Sequence, residues 1–318
     1  MARAFASSQV SGEKEVSFEQ LTENAWVYVE EGDPTSGVII TDAGVMVIDT
    51  RSTPVAAQDL IRRVREVTDK PFRDVVLTHY HAVRVLGASA YGAENIICSD
   101  ATWELIRERG EQDYKSEVQR FPRLFQGIES VPGLTEPTLV FHDRLHLNMA
   151  GLEVQIIHAG PGHTNGDTIV WLPQQKVLFS GDLVENGATP YTGDAHLREW
   201  PATLQKLRAL RPHYLVPGRG PAMKTPEDCE RAIAGTEGFI RRLYDGVAAE
   251  VQSGRSLKQA YDTVVPSLAA DYGHWSIFDH CMPFDISRAY DEASGIGHPR
   301  IWTAERDVEM WRQLEDQG

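Results

Sequence analysis

From Ala25 the chain alternates short apolar runs with turn residues: AWVYVEE, SGVIIT and GVMVIDT, separated by GDPT and TDAG. Apolar, β-branched runs of that length between Gly, Asp and Pro predict strands of an antiparallel meander. VAAQDLIRRVREV follows with apolar residues at helical spacing, and DVVLTHY then reads as a short buried strand ending at His79. After ASAYGAENIICS, the run TWELIRERGEQDYKSEVQRF predicts a long polar helix. The second half repeats the style. LVFHDRL, HLNMAGLEVQIIHAG, GDTIVWLP and KVLFSGD predict successive strands, WPATLQKLRAL an amphipathic helix, and HYLVPG a strand ending in a Gly-Pro-rich loop. Strands with a helix, given twice, fit two sheets packed face to face with helices outside, an α/β sandwich. From Thr225 the pattern turns helical, closing in a tail rich in Trp, His and Phe. The expected organisation is a flexible lead-in over residues 1–20, a sandwich over 21–225 and a helical elaboration over 226–318. No Gly/Ser linker marks a boundary, so the elaboration is expected to pack on the same core.

Composition narrows the partners. At 318 residues the chain suffices for one large domain or two modest ones. A formal charge of −15 repels nucleic acid and anionic membrane, which points to a small-molecule partner. An anionic substrate would then need its own cluster of Arg or metal. No stretch reaches the roughly 18 apolar residues of a membrane span, and the first twenty residues show no apolar signal core. Cys98, Cys229 and Cys281 are widely spaced without a C-x-x-C pair, which predicts reduced thiols. The expectation is a cytoplasmic protein, a homodimer by the prevalence of two-fold symmetry.

The chemistry concentrates in four places. In Thr78-His79-Tyr80-His81, strand alternation would aim both imidazoles at one point. An H-x-H pair alone equally describes two unrelated histidines. Support comes from Gly160-Pro161-Gly162-His163-Thr164, a turn that presents one more histidine, and from Phe179-Ser180-Gly181-Asp182, which places an acid at a strand end. Three imidazoles and a carboxylate make a site for zinc or a similar divalent ion.

In this order, H-x-H, G-H-T-x-G-D, F-x-G-D and P-G-x-G, with the early GVIITDAGVMVIDT hairpin, resemble the metallo-β-lactamase superfamily over roughly residues 20–225. The resemblance implies a four-layer αββα sandwich with a helical C-terminal extension. It implies His79, His81 and His163 as ligands of a first metal, and Asp182 as a carboxylate bridging toward a second. The departures bear on mechanism. The family's H-x-H-x-D-H runs here as His79-Tyr80-His81-Ala82-Val83-Arg84, and its late P-G-H-G as Pro217-Gly218-Arg219-Gly220. Valine has no donor atom and Arg no lone pair for a metal, so the second metal site is expected to be lost. Arg219 and Arg84 could place fixed positive charge in its stead, pairing with Asp182 and offering donors to a substrate anion, or they could form a structural salt bridge only. Asp182 is then the candidate for orienting or deprotonating water.

The leading function is a hydrolase using one divalent metal, zinc first with iron or manganese as alternatives, against a small anionic ester, lactone, amide or thioester. A non-hydrolytic mononuclear iron or manganese enzyme and a catalytically silent metal-binding protein are the competing readings. β-Lactam hydrolysis and nucleic-acid processing are disfavoured, the first by the absent export signal and the second by the acidic balance. Asp49, Asp167 and His158 read as supporting groups behind the ligands. Trp200 reads as a core or helix anchor, and His196 as either surface or pocket rim. His274, Trp275, Phe278, His280, Cys281, Phe284 and Arg288 in the tail could line a pocket, fill an interface or simply pack helix on sheet.

Overall fold

The computed structural model describes residues 14–315. Residues 1–13 of the expected lead-in lie outside the described residues. Its end is a strand: in β1 (Val16–Gln20), Val16 and Phe18 alternate with polar residues, and Phe18 stacks on Trp26 with ring centroids 5.1 Å apart. β1 pairs with β2 (Ala25–Glu30), which continues through β3 (Ser36–Thr41) to β4 (Gly44–Ile48), all antiparallel as the turn residues predict. β5 (Phe72–Val76), β6 (Asn95–Ser99) and β7 (Leu139–Phe141) extend this sheet in parallel. The second sheet contains β8 (Arg144–Met149), β9 (Leu152–His158), β10 (Thr168–Leu172), β11 (Val177–Phe179) and β12 (Tyr214–Val216), neighbours in sequence order. LVFHDRL, read as one strand, is divided: β7 closes the first sheet, His142–Asp143 turns the corner, and β8 opens the second.

Period-two alternation sorts the strand side chains between layers. Met46 and Ile48 of β4 and Val76 of β5 face inward, meeting Val170 and Leu172 of β10 and Phe179 of β11 in the core between the sheets. Val45, Val47 and Val75 face outward onto α1 (Pro54–Val67), whose buried stripe is Ala57, Leu60 and Val64. The hydroxyl of Thr53 accepts from Ala56 N, and Pro54 follows at the first helical position, so this helix starts where a cap and a preset φ coincide. α2 (Ala82–Val85) is a single turn, and α3 (Asp100–Arg120) covers the same face. On the second sheet's outer face, α4 (Trp200–Ala209) and α5 (Pro226–Gln252) bury Leu204, Leu207, Ile233, Phe239 and Leu243. This is an αββα sandwich, and α6 (Leu257–Tyr272), α7 (Phe278–Ala293) and α8 (Ala304–Glu315) are the helical extension on it. α7 packs against α5, α6 and α8 and is therefore buried nearly all round. Cys98, Cys229 and Cys281 are buried and unpaired. Among the described residues no helix is long and apolar enough to cross a membrane.

Candidate metal centre

The two histidines of H-x-H are not on a strand. β5 ends at Val76, and Thr78 leaves the first sheet to accept a backbone hydrogen bond from Thr168 N of the second. His79 sits in that bridging loop and His81 caps α2, with φ −58° and ψ 138°. Convergence therefore comes from a loop stitched between two sheets and not from alternation. The nearby Gly181 has φ +52°, and a Cβ there would stand 2.7 Å from Thr78 Oγ1. Only glycine fits both demands.

His163, from the β9–β10 loop, completes a near-equilateral triangle: ring centroids lie 4.9 Å apart for His79–His81, 4.7 Å for His79–His163 and 4.8 Å for His81–His163. All three are buried. The partners of the outer nitrogens fix the tautomers. Thr78 Oγ1 donates to Asp49 and can only accept from His79 Nδ1, 3.0 Å away. His163 Nδ1 donates to the Tyr191 carbonyl at 2.8 Å, and His81 Nε2 donates to Asp194 at 3.2 Å. The inner nitrogens, His79 Nε2, His81 Nδ1 and His163 Nε2, thus turn lone pairs toward one another. His81 Nδ1 and His163 Nε2 are 3.0 Å apart, a separation at which two lone pairs repel unless a cation or proton lies between. His79 Nε2 is buried without any hydrogen-bond partner. Burial pushes the His79 imidazolium far below its usual range and His163 down to about 3, so both are neutral donors. Burial also opposes charge on His81, but the Asp194 hydrogen bond and the Asp113 carboxylate lift it to about 9. An orphaned buried nitrogen and three converging imidazole nitrogens, one of them protonated while no cation is bound, fit a divalent cation held by three nitrogens.

Asp182, on the turn after β11, has Oδ2 3.8 Å from His79 Nε2 and 3.7 Å from His163 Nε2. Both of its oxygens are engaged by cations. Arg84 Nη2 donates to Oδ1, and Arg219 Nη1 lies 3.2 Å from Oδ2 and 3.1 Å from Glu185. Burial alone would raise the Asp182 pKa, but Arg84, the site imidazoles and Arg219 hold it far below the carboxylate range. Arg84 is 0% exposed, and it also donates to the carbonyls of Thr35 and Gly218, each at 2.6 Å. Val83, where the family's Asp would stand, turns into the apolar cluster over the first sheet, and its backbone N–H donates to Glu117 at 3.2 Å.

Asp49 and Asp167 stand behind the histidine loops, as their types suggested. Asp49, at φ +61°, accepts from both the N–H and the hydroxyl of Thr78. Asp167 accepts from Thr164 N and Oγ1 and so shapes the His163 loop. Trp200 is fully buried, donates to the Leu183 carbonyl at 3.1 Å, and has its ring 5.8 Å from His163. His158 contacts the Asn165 carbonyl away from the triangle, and His196 is half-buried beside Arg288. The tail divides its labour: Phe278 and Cys281 join the α5 core, whereas His280 meets the Phe121 ring and Phe284 the Tyr191 ring at a tilt. Among the described residues no metal-competent cluster includes His280 or Cys281.

Several residues of the site escaped the sequence reading. Asp194 and Tyr191 fix two ligand rings from a stretch with no motif. The second half of α3 buries Arg109, Asp113, Ser116, Glu117 and Arg120, a charged stripe at helical spacing turned inward. That periodicity was the available signal, but charge on a helix ordinarily marks its solvent face.

Comparison with known proteins agrees with this architecture. The family described as the metallo-beta-lactamase superfamily matches residues 29–219. A type 2 metallo-beta-lactamase of Bacillus sp. (strain 170) is 27% identical over 217 residues, 64% of this chain and 76% of the relative. A linear primary-alkylsulfatase of Pseudomonas sp. (strain ATCC 19151) is 22% identical over 271 residues, 72% of this chain and 49% of that enzyme. Among solved structures, a metallo-beta-lactamase from Pontibacter korlensis superposes with a TM-score of 0.57 at 21% identity, over 71% of this chain and 99% of the other. A double mutant of the sec-alkyl sulfatase PisA1 gives 0.66 at 16% identity, over 88% of this chain and 50% of the other. At such identities the structural likeness is one of fold, and the second reaches into the C-terminal helices. The chain belongs to the metallo-β-lactamase superfamily. Its named relatives are hydrolases, which supports metal-dependent hydrolysis as the general chemistry.

Proposed function

We propose that this protein is a hydrolase working with one divalent metal ion, zinc, on a small anionic ester, lactone, amide or thioester. The observation that supports it best is the three-imidazole triangle whose outer nitrogens are each tied to a fixed partner and whose inner lone pairs meet in a buried gap. A three-imidazole set suits zinc, which would take the place of the proton on His81 and when bound there lowers the pKa of a coordinated water and polarises a carbonyl. Thr78, Asp194 and the Tyr191 carbonyl hold the rings in register. Asp182 serves as a fixed negative charge and not as a proton acceptor, because two guanidinium groups occupy its oxygens. Arg84 takes the place of a second cation structurally, with both its terminal nitrogens bonded to backbone or Asp182.

The test is metal content together with turnover. Protein purified without chelator and analysed by elemental mass spectrometry is expected to hold one zinc per chain. His79→Ala, His81→Ala and His163→Ala are each expected to lower both zinc content and hydrolysis of an ester and lactone panel. The panel includes a β-lactam and an alkyl sulfate, the substrates that relatives are named for. Two ions per chain, or activity untouched by loss of His81, would overturn the reading.

A further inference from the structure

Buried polar atoms without a hydrogen-bond partner are uncommon in folded proteins, and they mark where water, an ion or a ligand completes the structure. Here several gather around the metal centre: His79 Nε2, Asp113 Oδ2, Glu185 Oε2, Thr192 Oγ1 and two nitrogens of Arg120. Arg120 stands apart. Among the buried guanidinium groups of the described residues, Arg51 and Arg84 leave only Nε unpaired, whereas Arg120 leaves both Nε and Nη2. These two nitrogens share one edge of the guanidinium plane, the fork that receives two oxygens of a carboxylate side-on. The residue is 5% exposed, so the open edge faces the interior.

The rest of the group is pinned. Arg120 Nη1 donates to Tyr191 Oη at 3.1 Å. The guanidinium carbon lies 4.7 Å from the Phe284 ring centroid and 5.8 Å from that of Tyr191. Tyr191 in turn lies 5.7 Å from the His81 ring and 6.3 Å from His163. One aromatic ring thus separates the guanidinium from the metal ligands. Glu117 interacts electrostatically with His81, Arg120 and Arg219 together, and His280 with Arg120 and Arg219, so these charges lie close to one another. Asp113, Glu117 and Asp307 are the carboxylates near Arg120, yet none hydrogen-bonds to its open edge. Asp307 accepts from Ser116 instead, at 3.2 Å.

A chain of charge −15 needs a local cation to admit an anionic substrate. Arg84 is sealed beneath Asp182, and Arg219 Nη1 is shared between Asp182 and Glu185. We propose that Arg120 is the anion-receiving residue of the substrate pocket, taking a carboxylate of the substrate on its Nε–Nη2 edge while the scissile bond reaches the three histidines. The inference rests on the hydrolase reading and narrows its substrates to small molecules with a carboxylate on the side of the scissile bond nearer α3 and α7.

The experiment has a binding arm and a kinetic arm, each with zinc-loaded wild type, Arg120→Gln and Arg120→Lys. Succinate is titrated calorimetrically, because a carboxylate that merely coordinates the metal would not sense residue 120. Its affinity is expected to fall about 30-fold in Arg120→Gln and several-fold in Arg120→Lys, as charge-assisted, bidentate bonds predict. Should Arg120→Gln fail to fold, Arg120→Lys decides alone. The kinetic arm compares mono-4-nitrophenyl succinate with its neutral methyl ester. Arg120→Gln is expected to raise KM for the anionic ester by a similar factor and that for the neutral ester much less. Equal succinate affinity in all three proteins, no succinate binding to the wild type, or an equal KM rise for both esters overturns the proposal. Absence of turnover in every protein, with succinate binding still dependent on residue 120, would sink the hydrolase reading and leave the anion site supported.

Discussion

Replacing Arg84 by Met separates a structural counter-charge from a substrate-binding arginine. The side chain is 0% exposed and donates to Asp182 and to the carbonyls of Thr35 and Gly218. Removing one partner of a buried ion pair costs about 3–5 kcal/mol, because the other charge is left uncompensated. Arg219 still stands 3.2 Å from Asp182 and offsets part of this, while two carbonyls lose a charged donor at about 1–3 kcal/mol each. The terms overlap, and we expect a net loss of about 4 kcal/mol, a large share of the ~5–15 kcal/mol typical of a folded domain. At a factor of ten per ~1.4 kcal/mol, the unfolding constant rises nearly a thousandfold. Urea unfolding of metal-free protein followed by tryptophan fluorescence reads this directly. Arg84→Met combined with Asp182→Leu should be more stable than Arg84→Met alone, since the uncompensated carboxylate is gone and Arg219 keeps Glu185 as partner. A single variant within about 1 kcal/mol of wild type, or a double variant at the sum of its singles, would refute the counter-charge argument.

Two more outcomes follow from the same geometry. Val83→Asp, Arg84→His and Arg219→His together return lone pairs to the emptied positions, and zinc content should rise from one toward two per chain by elemental analysis; content unchanged at one means the backbone there cannot host a second ion. His196 is pushed down to about 4 by burial and by Arg288, against an ordinary value of 6.5. Its folded-state pKa is depressed, so the unfolded chain takes up the proton first and stability drops as pH falls from about 7 toward 4. With partial exposure the effect is about 1–2 kcal/mol, and His196→Gln should flatten that part of the stability–pH curve measured by urea unfolding.

The fold was legible because its signals are local. The meander from Ala25 to Ile48 declares itself through period-two apolar runs and turn residues, and α1 and α5 through a Thr cap followed by Pro. What failed was local too: LVFHDRL carries no mark that its two halves belong to different sheets. The H-x-H rings converge as expected but for another reason, since a loop and a helix cap, not strand alternation, do the aiming.

By itself the sequence supplied the donor types on offer: three imidazoles, one carboxylate, and the Val and Arg residues that cannot ligate at Val83, Arg84 and Arg219. Donor chemistry is a property of the residue and needs no coordinates. Only the tertiary structure decided what each group is free to do. Hydrogen-bond capacity is finite, and which partners consume it depends on segments far apart in the chain. Arg84 and Arg219, alike in sequence, differ because one is sealed under Asp182 and two carbonyls and the other reaches Asp182 and Glu185. Arg120, one charge among many on a polar helix, is set apart because folding buries it against Tyr191 and Phe284 with one edge of its guanidinium unpaired.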